Sequence, residues 1–131
     1  DRLNLLGTNK DCSMGICGAC TVLLNRRPVS SCIFLAVQAD GGVVETIEGA
    51  GNSGLMADLQ AKFHSLNALQ CGFCTPGMLL RARELLQDNP MPSRGEIRDY
   101  LSGNFCRCTG YQAIVDAVEA VAHARRRVRG A

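Results

Sequence analysis

The chain has 131 residues, a formal net charge of +2 and eight cysteines. A balance so near neutrality argues against a nucleic-acid or membrane-surface partner, and no run of about 18 apolar residues marks a transmembrane helix. The opening DRLNLLGTNK lacks the apolar core of a signal peptide, so the expected compartment is the reducing cytoplasm, where cysteine clusters are more often metal ligands or catalytic groups than disulfides.

The first half reads as loop and strand. Cys12 to Cys20, CSMGICGAC, is a loop rich in small residues. Thr21-Val22-Leu23-Leu24 is a short β-prone run, Asn25-Arg26-Arg27-Pro28 a turn, and Val29 to Cys32 a return strand. Gly41-Gly42 marks a further turn and Val43 to Ile47 a further strand, giving a small β-grasp-like unit. Glu48 to Ser53 is a Gly-rich, small-polar stretch that reads as a linker.

From Gly54 the pattern is helical. Leu55, Leu59, Phe63 and Leu66 stripe one face, with Asn52 or Ser53 as the cap. Thr75-Pro76 offers an N-cap followed by proline at the first helical position, and Asn89-Pro90 ends that helix. Ser93-Arg94-Gly95-Glu96 and Thr109-Gly110-Tyr111-Gln112 are both capping-box patterns; the second opens a helix with Ile114, Val118 and Val121 on one face. Four helices with short connections suggest a small bundle. Cys74 and Cys108 each directly precede a predicted cap, where unpaired N–H groups and the positive end of the helix dipole favour a thiolate.

The cysteines fall into two quartets. Cys12, Cys17 and Cys20 read C-x4-C-x2-C, and Cys32 follows after eleven intervening residues; this is the ligand order of a plant-type [2Fe–2S] centre. Gly15 and Gly18 between the ligands let the backbone curl. The second quartet is Cys71, Cys74, Cys106 and Cys108, C-x2-C then C-x-C. On spacing alone it also suits tetrahedral zinc. Each half of the chain is small enough to need such a staple. His64 and His123 stand alone, outside both quartets, and read as ordinary helix histidines. The tail Arg125-Arg126-Arg127-Val128-Arg129 reads as a solvated helix end.

Three segments carry a family resemblance. Gly18-Ala19-Cys20-Thr21-Val22, Gln70-Cys71-Gly72-Phe73-Cys74-Thr75-Pro76-Gly77 and Leu101-Ser102-Gly103-Asn104-Phe105-Cys106-Arg107-Cys108-Thr109-Gly110-Tyr111 resemble the small iron–sulfur subunit of the xanthine oxidase family of molybdenum hydroxylases, over about Leu6 to Ala122. The resemblance implies an α+β chain: a plant-ferredoxin-like β-grasp domain over residues 1–50, then a four-helix bundle over residues 53–131. Each would hold one [2Fe–2S] cluster, the first on Cys12, Cys17, Cys20 and Cys32, the second on Cys71, Cys74, Cys106 and Cys108. It further implies two partners: a large subunit with molybdopterin, towards which Gln70 and Cys108 would face, and an FAD-binding subunit. Members of the family usually begin with a β-hairpin ahead of the position of Asp1; it is absent here, so the expectation is either an incomplete ferredoxin-like sheet or a trimmed chain, and Ser13-Met14 and Ile16 stand where relatives often carry glycine and acidic residues.

The function expected is electron transfer inside an oxidoreductase, with no substrate-converting site in this chain. Two other readings fit the cysteines: a zinc-binding interaction module, and a freestanding ferredoxin-like shuttle.

Overall fold

The computed structural model describes residues 3–51 and 54–130. The protein mixes α and β. Strands β1 (Thr21–Leu24), β2 (Arg27–Ser30) and β3 (Val44–Glu45) form an antiparallel sheet in the order β2-β1-β3. A single turn of helix α1 (Ile47–Ala50) leads to α2 (Gly54–Ser65), α3 (Thr75–Asp88), α4 (Arg94–Leu101) and α5 (Gln112–Arg129).

The β1–β2 hairpin is tighter than the predicted four-residue turn. Only Asn25 (φ 49°) and Arg26 (φ 68°) turn the chain; a two-residue hairpin loop of this kind needs positive φ at both positions. Arg27 and Pro28 already pair with Leu24 and Leu23. Pro28 is tolerated because β2 is an edge strand. Asn25 then recruits the third strand: its amide N–H donates to the Val43 carbonyl at 2.9 Å, and its Oδ1 accepts from the Val43 N–H at 2.9 Å.

The predicted strand Val43–Ile47 shrinks to Val44–Glu45, and the predicted linker begins as helix. Ile47 to Ala50 close one turn, with Ala50 buried and Ile47 packed against the core. Glu48 secures it, accepting from the Gly7 N–H at 2.8 Å and the Thr46 hydroxyl at 2.6 Å. The proposed caps Asn52 and Ser53 lie outside the described residues.

In α2, Leu59 and Phe63 are buried and Leu55 partly so, as the stripe predicts. Leu66 is exposed instead. The helix stops at Ser65, Asn67 takes a left-handed conformation (φ 53°), and the Ala68 N–H returns to the Phe63 carbonyl at 2.8 Å. Ala68 is thereby buried in Leu66's place.

The two capping boxes fare differently. Ser93 and Glu96 bond reciprocally at the start of α4. The Thr109 box does not form: α5 begins two residues later, with Tyr111 as its N-cap residue in a left-handed conformation (φ 68°). Likewise Cys74, not Thr75, occupies the N-cap position of α3. Cys74 therefore sits at a helix N-terminus as expected, whereas Cys108 stands three residues ahead of its cap.

Helix α3 is the centre of the molecule. It packs against α2, α4, α1 and both β1 and β2, while α5 packs against α2 and α4. One apolar core runs through these contacts. Leu23 enters it from the sheet, and Met56, Leu59, Phe63, Met78, Leu80, Ile97, Ile114, Val118 and Val121 from the helices, all essentially inaccessible. Burying each such side chain stabilises by roughly 1.5–3 kcal/mol. Arg83 of α3 meets Glu45 of β3 through two hydrogen bonds, 2.9 and 2.6 Å, so the sheet is locked to the central helix by charge as well as by packing. Arg94 of α4 pairs with Asp116 and Glu119 of α5, and Arg125 of α5 with Asp58 of α2. Among the described residues no helix is long and apolar enough to cross a membrane.

Candidate metal centres

The loop from Cys12 to Cys20 is held open by its own backbone. Gly15 (φ 75°) and Gly18 (φ 70°) adopt conformations that L side chains rarely take. A Cβ at Gly18 would also collide with the Gly103 carbonyl and the Asn104 amide. The curl aims N–H groups at sulfur: Cys12 Sγ accepts from Cys17 N at 3.4 Å and Met14 N at 3.5 Å. The amides of Cys17, Met14 and Ile16 together lower the Cys12 thiol to about 6. That thiol is pre-disposed to the thiolate form a metal requires. The fourth cysteine of this quartet, Cys32, comes from beyond β2. The Ser31 hydroxyl donates to the Cys20 carbonyl at 2.8 Å, which sets the neighbouring Cys32 against Cys20.

The four sulfurs of this quartet meet in two pairs. Cys12 lies in side-chain contact with Cys17, and Cys20 with Cys32. Contact with Cys20, and then burial, raises the Cys32 thiol.

The second quartet is built from three places: the Cys71–Cys74 knuckle, the N-terminus of α3, and the segment between α4 and α5. It too forms two pairs. Cys71 and Cys108 stand 3.6 Å apart, sulfur to sulfur, and Cys74 contacts Cys106. Two sulfurs on one tetrahedral metal at about 2.3 Å lie about 3.7 Å apart, so the Cys71–Cys108 spacing fits a shared metal. Burial, and then Cys106, pushes the Cys74 thiol up to about 12. A bound cation reverses that preference, because a coordinating thiol is deprotonated outright. Burial also pushes Cys106 upward, but the Thr109 hydroxyl, the Thr109 and Cys108 amides and Cys74 outweigh it and hold the thiol below its ordinary value.

Two-by-two pairing separates the candidate groups. A single zinc ion needs all four sulfurs around one point, whereas the sulfur contacts described join each quartet two by two. Two irons bridged by sulfide need two thiolates each, which is the arrangement seen twice. All eight cysteines are free thiols. The residues present therefore fit a pair of [2Fe–2S] groups. His64 and His123 are exposed on α2 and α5.

Gln70 is exposed, and its side-chain amide donates to the Cys108 carbonyl at 3.0 Å. The fold thus brings together the two residues singled out as facing the pterin. Both lie at the exposed edge of the second quartet, where Cys71 and Cys108 are also open.

The two quartets are joined directly. The Phe105 N–H donates to the Cys17 carbonyl at 2.8 Å. Asn104, fully buried, donates through Nδ2 to the Gly18 carbonyl at 2.9 Å and to Thr21 Oγ1 at 3.2 Å. Gly77 of α3 lets this happen, since a Cβ there would stand 2.5 Å from the Gly18 carbonyl. Asn9, ahead of the first loop, donates to the Phe73 carbonyl of the second knuckle at 2.8 Å.

Sequence reasoning named Asn104, Phe105 and Thr109 only as parts of motifs. The visible signal was their adjacency to the C-x-C pair; a buried asparagine bridging across 86 positions leaves no periodic trace.

With the geometry in place, comparison with known proteins agrees. The model of the family described as "[2Fe-2S] binding domain" matches residues 46–119. The chain is 50% identical over 114 residues to the nicotine 6-hydroxylase small subunit of Paenarthrobacter nicotinovorans, covering 87% of this chain and 68% of that one. It is 45% identical over 124 residues to caffeine dehydrogenase subunit gamma of Pseudomonas sp. (strain CBB1), covering 92% and 74%. Among solved structures, quinoline 2-oxidoreductase from Pseudomonas putida 86 superposes with a TM-score of 0.86 at 51% identity, over 95% of this chain and 78% of that one. Fold and family match together define a [2Fe–2S] protein. More narrowly, the chain belongs to the small iron–sulfur subunits of the xanthine oxidase family of molybdenum hydroxylases.

Proposed function

We propose that this chain is the electron-transfer subunit of a cytoplasmic molybdenum hydroxylase. In this reading Cys12, Cys17, Cys20 and Cys32 hold a first [2Fe–2S] cluster, and Cys71, Cys74, Cys106 and Cys108 a second. Residues 1–50 are the ferredoxin-like unit and residues 53–131 the helical unit. Electrons come from the molybdopterin of a large partner subunit and leave to an FAD-binding subunit. The observation that carries the reading is the pairing of thiols two by two in both quartets.

A bound [2Fe–2S] cluster supplies reversible one-electron transfer. The chain supplies the rest. Cys108 and Gln70 present an open edge to the pterin side. Cys106 is buried, and Phe105, covalently next to it, is hydrogen-bonded to Cys17. That gives a short connection between the quartets through one hydrogen bond and the backbone. Asn104 fixes its length by tying the α4–α5 segment to the first loop. No general base or nucleophile serves a substrate here; conversion of substrate belongs to the large subunit.

The test is purification of the intact complex through this chain, followed by metal and sulfide analysis. The expected result is ~4 iron and ~4 acid-labile sulfide per chain, with molybdenum and flavin in co-purifying subunits. Zinc in place of iron and sulfide would defeat the reading. Iron–sulfur recovery with no large partner would favour a freestanding shuttle.

A further inference from the structure

We propose that Thr109 sets the reduction potential of the second centre by donating its hydroxyl hydrogen to the sulfur of Cys106. The proposal rests on the reading that Cys106 is a cluster ligand, and adds to it a positioning residue outside the eight cysteines.

Thr109 Oγ1 lies 3.1 Å from Cys106 Sγ. A ligating Cys106 is a thiolate with no hydrogen to give, so the hydroxyl is the donor in that bond. Its oxygen meanwhile accepts from the Tyr111 N–H at 3.2 Å, which holds the hydroxyl in place beside the sulfur. The neighbouring donor is diverted: the Cys106 N–H goes to the Tyr111 hydroxyl at 2.9 Å. Tyr111 holds both bonds from a left-handed conformation that non-glycine residues seldom adopt (φ 68°). This is also why Thr109 fails as a helix cap: its oxygen serves the turn ahead of α5, and its hydrogen serves the sulfur. Cys106 is the buried sulfur of its quartet, so a hydrogen bond to it is little screened by water.

The contrast with the first quartet is informative. Cys12 receives its hydrogen bonds from backbone N–H groups of its own loop. At Cys106 a side-chain hydroxyl joins the backbone amides of Thr109 and Cys108, and among the bonds described at the two quartets this hydroxyl is one that a substitution can remove. Reduction adds one electron to the centre and leaves the O–H bond intact. A donor to sulfur favours the more negative, reduced form and so raises the potential.

The experiment is a dithionite titration of the assembled complex followed by paramagnetic resonance, which reads both centres in one sample. Thr109→Val removes the hydroxyl at nearly constant shape, and Thr109→Ser keeps it. In Thr109→Val the reduced-to-oxidised ratio of the second centre at fixed potential should fall about tenfold, a midpoint lowered by about 59 mV for one electron. The first centre should not move, and Thr109→Ser should stay near wild type. Thr109→Ala, which removes the same group with less bulk, should repeat the Thr109→Val result. An unmoved second midpoint, an equal fall in both centres, or a Thr109→Ser shift as large as Thr109→Val would overturn the proposal. So would loss of the second signal in both the Val and Ala variants, which would make the hydroxyl an assembly element. Absence of both signals from the wild type would instead refute the cluster reading itself.

Discussion

The Phe105 amide donates to the Cys17 carbonyl at 2.8 Å, across a boundary that the sequence presents as two separate cysteine quartets. Cys17 belongs to the first loop, and Phe105 is covalently next to Cys106 of the second. One hydrogen bond therefore closes a path from a cysteine of one quartet to a cysteine of the other. The surroundings protect that path, with Asn104 buried beside it and Gly18 and Gly77 leaving room for the close approach.

Asn104 is expected to hold the two sites in register. Asn104→Ala removes the buried donor to the Gly18 carbonyl and Thr21 Oγ1, while the Gly18 carbonyl keeps its bonds from the Thr21 N–H and hydroxyl. Loss of two hydrogen bonds is expected to cost about 1–3 kcal/mol, read as a lowered denaturation midpoint. A midpoint unchanged from wild type would mean that the bridge has no structural weight.

Gly18 should tolerate no side chain. An alanine there must adopt a left-handed conformation, at roughly 1–2 kcal/mol, and must displace the Gly103 carbonyl and Asn104. Gly18→Ala is expected to lose the visible absorbance of the first centre and to destabilise the whole chain. Gly41→Ala, also at positive φ but with open space around it, is the control and should keep both centres.

The Arg83–Glu45 pair makes stability depend on acid. The hydrogen bonds from Arg83 hold the Glu45 carboxyl below its ordinary range. A carboxylate depressed in the folded state stabilises fully above its unfolded value of about 4.3. That stabilisation is lost as pH falls from there through the folded value. Arg83 is almost wholly buried, whereas Glu45 is 32% exposed. Glu45→Gln should therefore cost about 2–3 kcal/mol at neutral pH, the lower end for a broken buried pair. The difference from wild type should narrow towards pH 3 in denaturant titrations. A gap independent of pH would contradict the assignment.

Gln70→Ala should leave both centres intact, because the side chain contacts only the carbonyl of Cys108 and no sulfur in the bonds described. Within the assembled complex it should slow reduction of the second centre after substrate addition, measured in a single turnover. An unchanged rate would remove Gln70 from the pterin face.

Much of this was legible in the residues, for physical reasons that can be named. Cysteine spacing is local, so the first loop and the C-x2-C and C-x-C pairs could be read directly. The Ser93–Glu96 box formed because both partners lie within one turn and nothing else competes for them. The Thr109 box failed because the hydroxyl is engaged ahead of the helix, donating to Cys106 Sγ and accepting from the Tyr111 N–H. Leu66 left the predicted stripe because the helix ended at Ser65 and Asn67 turned the chain two residues on. The bridge between quartets was hidden, since Asn104 finds Gly18 and Thr21 through tertiary packing that no spacing encodes.

Cys20→Ser offers the sharpest separation of the two centres, and wild type beside it is the direct test of ligation. In dithionite-reduced samples, wild type should give two distinguishable spin-half signals of equal integrated intensity. Cys20→Ser should lose one signal and keep the other at full strength. A diamagnetic reduced wild type, or the disappearance of both signals on replacing this one thiol, would contradict two independent bridged-iron centres held by the two quartets.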